Sequence, residues 1–215
     1  IVAESSRGWF GRPGIEGCRP DGRDFAPRFE LADASADGSH LEAVLVDERA
    51  RLHLTIVMSL TESGVVTSRA TLRNDGDDAF RLDSLRISLP MPGRAQDLLT
   101  LGGRHLFEFA EQRIPWIRSC TTVENRHGKT SHERLGMVVA GTEHFGEHHG
   151  EVWGCHIGWS GNYEFVCDSV SDGHRVIQAG ELLLPAEVTL APGESYVTPT
   201  VFGAYSPDGL NRMST

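Results

Sequence analysis

From Leu41 to Tyr205 apolar and polar residues alternate in short runs, and turn-forming clusters interrupt the runs at close spacing. A period of two places successive side chains on opposite faces of a strand, so this pattern encodes strands and leaves little room for helices. Strands that follow one another this closely build sandwiches or barrels, because a parallel βαβ unit needs a helix-length connection between its strands. The fold class read from the chain is therefore all-β. Leu52, Leu54, Ile56, Met58 and Leu60 share one parity and predict a strand with one apolar face. Glu62-Ser63-Gly64 turns the chain, Val66, Ala70 and Leu72 continue the apolar face, and Asn74-Asp75-Gly76-Asp77 turns it again, which gives a meander. Phe80 and Leu82 keep one parity while Leu85, Ile87 and Leu89 keep the other. A slip of one residue inside a strand predicts a β-bulge and a bend near Ser84.

Pro90 to Gly103 loses the alternation and reads as a crossover between sheets containing a short helical turn. Further strands are expected around Arg113–Val123, Leu135–Ala140, Glu151–Trp159, Tyr163–Val170, His174–Gln178, Glu187–Leu190 and Ser195–Tyr205. The opening segment, Ile1–Pro27, is rich in Gly, Arg, Pro and Asp and is expected to be extended loop, with the sandwich occupying 28–215. The 215 residues carry 24 Gly and 10 Pro, which weaken helices and serve turns.

Charge narrows the partners. A net charge of −10 repels a phosphate backbone, so nucleic acid is excluded as a partner, and an anionic membrane surface with it. No apolar run reaches the ~18 residues of a membrane-spanning helix. Cys18, Cys120, Cys155 and Cys167 are widely spaced without a C-x-x-C pair, so they read as free thiols suited to a reducing cytoplasm. No signal peptide precedes Ile1, but the chain also lacks an initiator Met, so its natural N-terminus is expected upstream and secretion stays open.

Chemistry-bearing motifs are sparse. His144-Phe145-Gly146-Glu147-His148 spells H-x-x-E-H, with His149 beside it, but zinc ligation through that spacing needs a helix. Gly141, Gly146 and Gly150 oppose a helix, so the segment is read as a polar loop without metal. Gly158-Trp159-Ser160-Gly161-Asn162 lacks the second Gly of a nucleophile elbow and reads as a turn. Thirty acidic residues offer no patterned catalytic pair, and no cofactor is implied. Of the tryptophans, Trp153 and Trp159 share one parity in one strand and are expected on a core face or an interface. Trp9 differs: it sits beside Phe10 in the Gly-rich stretch Arg7–Gly14, where a loop can present it with Arg7 and Arg12 to a sugar. The competing reading of Trp9 is a packing anchor.

Four blocks in the second half of the chain resemble the N-terminal domain of glycoside hydrolase family 36, the bacterial α-galactosidase and melibiase family. They are Val123-Glu124-Asn125-Arg126-His127-Gly128-Lys129-Thr130-Ser131-His132; Gly150-Glu151-Val152-Trp153-Gly154 with Trp159-Ser160-Gly161-Asn162; Leu190-Ala191-Pro192-Gly193-Glu194-Ser195-Tyr196 closing on Thr198-Pro199; and Tyr205-Ser206-Pro207-Asp208-Gly209-Leu210-Asn211 with Met213-Ser214. The resemblance runs from about Leu41 to Thr215, and Gly8–Gly14 looks like the version in actinobacterial members. It departs where Trp replaces the usual Tyr in two blocks and where Glu133-Arg134 follows His132, and it places the family's first strands before Ile1.

What the resemblance implies is a β-supersandwich of the galactose-mutarotase-like type. Its parent would be a retaining α-galactosidase acting on terminal α-galactosides such as melibiose or raffinose-type sugars. The two catalytic Asp residues would lie on a following (β/α)₈ barrel, so no catalytic residue is assigned within this chain. The implied role is a scaffold that contacts that barrel, helps a homo-oligomer to form, and lends Trp9 and Arg12 to the rim of the sugar pocket. Two other classes remain in view: a stand-alone carbohydrate-binding module, and a mutarotase-like epimerase, which would need an acid/base pair on a concave sheet face.

Overall fold

A computed structural model of the chain describes residues 1–117 and 119–214. Strands take up about half of the described residues and helix only Ser5–Arg7 and Gly209–Met213, in line with the alternation, and every strand pairing among them is antiparallel. The large sheet has ten strands. It begins with the meander β2 (Glu30–Asp37), β3 (His40–Asp47), β4 (Leu52–Leu60) and β5 (Val66–Asn74), and β16 (Ser195–Val197) pairs with β5. Beyond β5 come β17 (Thr200–Ser206), β12 (Val152–Gly158), β11 (Arg134–Gly141), β8 (Asp97–Arg104) and β9 (Phe107–Pro115).

Two smaller sheets face this one. One runs β10 (Cys120–Asn125), β13 (Tyr163–Ser169), β14 (Arg175–Glu181), β7 (Ile87–Met91), and the other β1 (Ile15–Cys18), β6 (Phe80–Leu85), β15 (Val188–Leu190). The core between the layers draws on all three: Leu52, Leu54 and Leu72 from the large sheet, Phe80, Leu82 and Leu85 from the three-stranded one, Tyr163, Phe165 and Ile177 from the four-stranded one. A second, smaller core forms on the outer face of the large sheet, where Leu99, Val139 and Val152 meet Phe145 and Leu210. Leu210 belongs to α1 (Gly209–Met213), and a side chain on Gly154 would run into Met213 of the same helix.

The parity slip at Ser84 is physical. Glu16 pairs with Ser84 and Gly17 with Leu82, so Asp83 is the extra residue of a bulge in β6. One residue after β6 the chain leaves for β7 in the other small sheet, so Leu85 and Ile87 are both buried although they belong to different sheets.

Several expectations change. Within the opening segment read as loop, Ile15–Cys18 is a strand on β6, and Ser5–Arg7 is a turn of 3₁₀ helix. The strand expected over Arg113–Val123 is two, β9 and β10, which lie in different sheets; its position 118 is outside the described residues, as is Thr215. The helical turn expected after Pro90 is a single hydrogen-bonded turn, Ala95 N–H to the Pro92 carbonyl at 2.9 Å, and β8 already starts at Asp97. The run from Ser195 to Tyr205 breaks into β16 and β17, and Thr198 between them folds inward, its hydroxyl accepting the Ala70 N–H at 3.0 Å. Trp153 packs on the core, whereas Trp159 lies just past the end of β12, outside the strand expected to carry it, and is 40% exposed.

Candidate functional site

β13 is buried along its whole length. Tyr163, Phe165 and Cys167 point to the core, so by alternation Glu164, Val166 and Asp168 point the other way. That second face is covered by the Gly-rich opening segment. The Arg12 backbone N–H donates to Asp168 Oδ2 at 2.7 Å, and the Gln178 side chain donates from β14 to the Arg12 carbonyl at 2.6 Å. Gly11 lies so close to the Asp168 carboxylate that a Cβ there would collide with it, which is why the segment passes this point as glycine.

Below the segment, Arg86 has no solvent exposure and ion-pairs with Glu164; its other branch reaches Glu16 Oε2 and the Pro13 carbonyl, each at 2.6 Å. The Arg12 guanidinium stands 3.8 Å from Glu164 Oε2 with its side chain 41% exposed. A buried cation therefore holds the strand's carboxylate, and the segment is fastened over both.

Trp9 and Arg12 thus come together as the sequence suggests. The Trp9 indole N–H donates to the Arg12 carbonyl at 3.0 Å, which closes the loop on itself and pushes Phe10 outward, 77% exposed. Arg7 does not join them. It turns to Glu4 at 3.3 Å, Glu30 at 3.1 Å and the Phe29 carbonyl. Phe10 is a surface aromatic to which sequence reasoning assigned no role of its own; its only signal was its place between Trp9 and Gly11 in the Gly-rich stretch. Asp168 and Gln178 were hidden because their partner is far away along the chain.

The H-x-x-E-H segment is a loop. His144 has φ +58° and is exposed, while Phe145 anchors the segment in the second core, with the Arg113 guanidinium 4.7 Å from its ring centre. The loop's function is to receive α1: the Gly146, Glu147 and Gly150 carbonyls accept N–H groups from Leu210, Asn211 and Gly209 at 3.0, 2.9 and 2.8 Å.

Three further features mark the surface of the described residues. Glu151 accepts from Arg94 and from the Tyr205 hydroxyl, which together hold its carboxyl at about 2, and Arg94 lies over the Trp153 ring. A cavity of about 600 Å³ opens near the start of β2, lined by Phe25, Leu31, Val46 and the charged Arg28, Asp47 and Glu48. His105, Glu108 and His132, all exposed, bring their ligand atoms within 4.8 Å of one another. All four cysteines are free, and burial pushes the Cys155 thiol up to about 12.

The model of the glycosyl hydrolase family 36 N-terminal domain matches residues 1–191. This chain belongs to that family. It is 36% identical over 214 residues to the α-galactosidase of Escherichia coli, and 32% identical over 178 residues, 81% of the chain, to α-galactosidase AgaA of Geobacillus stearothermophilus. The first match covers all of this chain and 30% of the relative, the second 24%. The fold superposes with a TM-score of 0.86 on a variant of AgaA crystallised in complex with raffinose, at 25% identity, covering 95% of this chain and 31% of that one. The family 36 domain described here thus spans about a third or less of the proteins it resembles.

Its family blocks are mutual clamps. In the first block Asn125 Nδ2 donates to the Lys129 and Gly161 carbonyls at 3.0 Å each, and Asn162 Oδ1 in the second accepts the Gly128 N–H at 2.8 Å. The Thr130 hydroxyl bonds the Trp159 carbonyl at 3.1 Å. Two loops that would otherwise expose backbone groups satisfy one another. In the third block the Glu194 carboxylate accepts the Ala191 N–H at 2.8 Å, and the Glu194 carbonyl takes that of Asn74 at 3.0 Å.

Proposed function

We propose that this chain is the non-catalytic N-terminal domain of a retaining α-galactosidase. The enzyme would act on terminal α-galactosides of the melibiose and raffinose type. Alignment of the whole chain with the first 30% or so of α-galactosidases carries the reading, and the raffinose bound to the structural relative points to the substrate class. In this reading the sandwich packs against a C-terminal barrel domain that bears the catalytic Asp pair, and the assembled enzyme is a homo-oligomer. Four free thiols fit a cytoplasmic protein. No helix of the described residues is long and apolar enough to cross a membrane.

Trp9 and Arg12 would reach the rim of the sugar pocket. The loop that holds them is fixed at Asp168 and Gln178 while Phe10 and the Arg12 guanidinium stay open to solvent, an aromatic surface next to a hydrogen-bond donor. The test uses the enzyme extended to the length of its relatives. Trp9→Ala should raise KM for p-nitrophenyl α-galactoside several-fold with little change in kcat, since rim contacts supply binding shared by ground and transition states. Early melting with unchanged kinetics would make Trp9 a packing anchor only.

A further inference from the structure

β8 and β9 close in a tight hairpin in which Arg104 pairs with Phe107, leaving His105 and Leu106 at the tip. Two bulky residues there occupy the left-handed region, Leu106 at φ +66° and Phe109 at φ +54°. Such a backbone is unfavourable for side chains with a Cβ, and it persists where it positions something. What it positions is Glu108. Its Oε1 accepts the Leu106 N–H at 2.8 Å and stands 3.9 Å from His105 Nδ1 and 3.7 Å from His132 Nε2. His132 comes from the loop before β11, whose carbonyl at the same residue accepts the Phe109 N–H at 3.4 Å.

We infer that His105, Glu108 and His132 form a surface binding site for a zinc-class divalent transition ion. Ligand bonds of ~2.0–2.2 Å in a tetrahedron put donor atoms roughly 3.4 Å apart, a small side-chain rotation from the spacing seen. Two imidazoles and one carboxylate suit zinc and its neighbours, whereas magnesium and calcium require a shell of oxygens. The carboxylate is already oriented by the Leu106 amide, as ligands in working sites are. A bound ion would tie the hairpin tip to the loop before β11 and leave one coordination position open to solvent. The site owes nothing to the H-x-x-E-H motif, whose histidines lie in the loop that receives α1.

The probe is zinc chloride titrated into the 215-residue chain and followed by calorimetry and by NMR of the histidine rings, with magnesium chloride alongside. One equivalent of zinc should bind, shifting the His105 and His132 ring signals, while magnesium does nothing. His132→Ala, His105→Ala and Glu108→Gln should each weaken binding on the order of 10–100-fold, at least the effect of losing an outer-shell partner. All three positions are exposed, and an unchanged circular dichroism spectrum will show that the variants fold. His144→Ala with His148→Ala should leave binding intact. Zinc uptake that survives His132→Ala, or that disappears in the His144/His148 variant, overturns the assignment, as does the absence of any uptake.

Discussion

Arg86 carries a full charge into a position with no solvent exposure, between Glu164 and Glu16 and under the Pro13 carbonyl. Such a group is tolerated only because each of its neighbours compensates it, and removing one partner leaves a buried charge uncompensated. Arg86→Ala should therefore destabilise the fold by about 3–5 kcal/mol, measured by urea unfolding. Replacing both members with apolar residues of similar volume, Arg86→Met with Glu164→Leu, should recover much of that loss. A single-variant penalty below about 1 kcal/mol, the range of exposed pairs, would show that water reaches the pair. The need for Arg at this point was not legible from the sequence. Arg86 reads there as an outward residue between Leu85 and Ile87, because alternation says which way a side chain points but not what covers that face.

The opening segment has the same character at the scale of an element. β1 is four residues long and the Arg7–Gly14 stretch has no periodicity, so neither announces itself, yet both pack on the small sheets through contacts distant in sequence. Asp168→Ala removes the acceptor of the Arg12 N–H and should free the segment while sparing the sandwich core. The expected result is hydrogen exchange at the Arg12 amide rising to that of an open loop, with Tm falling by only a few degrees. Asp168→Asn, which keeps an acceptor, should retain most of the protection, and an unchanged amide in Asp168→Ala would mean that Gln178 alone holds the loop.

Strands with one buried face were legible from parity: β4 buries Leu52, Leu54 and Ile56 as written, and the Asp83 bulge follows from the slip at Ser84. Strands without a buried face were not. β2 is exposed along its whole length and β9 nearly so, so no selection for alternation marks them, and hydrogen bonding to β3 and β8 alone defines them. His105, Glu108 and His132 escaped for a related reason. The hairpin's tip and the distant loop before β11, joined by the Phe109 amide on the His132 carbonyl, bring them together.

Over the whole molecule the question is whether a chain with 30 acidic residues could hydrolyse a glycoside by itself. A retaining glycosidase needs two carboxyl groups ~5 Å apart, one ionised and one protonated, on opposite sides of the scissile bond. The sheet-face pair that a mutarotase-like reading would favour, Glu164 and Asp168, lies on one strand four residues apart, roughly 13 Å by strand rise. Both are committed, Glu164 to Arg86 and Asp168 to the Arg12 amide, and the Arg7–Gly14 segment covers the face. Glu151, whose carboxyl Arg94 and the Tyr205 hydroxyl hold at about 2, is ionised at neutral pH like any ordinary carboxylate and has no proton to donate there. The 215-residue chain should accordingly release no p-nitrophenol from p-nitrophenyl α-galactoside above the buffer rate, in an assay run at high protein concentration beside the enzyme extended to the length of its relatives. Turnover that survives repurification and vanishes in Glu164→Gln or Asp168→Asn would mean that the covered face opens and works, and an epimerase-like or hydrolytic site on this sandwich would then replace the scaffold reading.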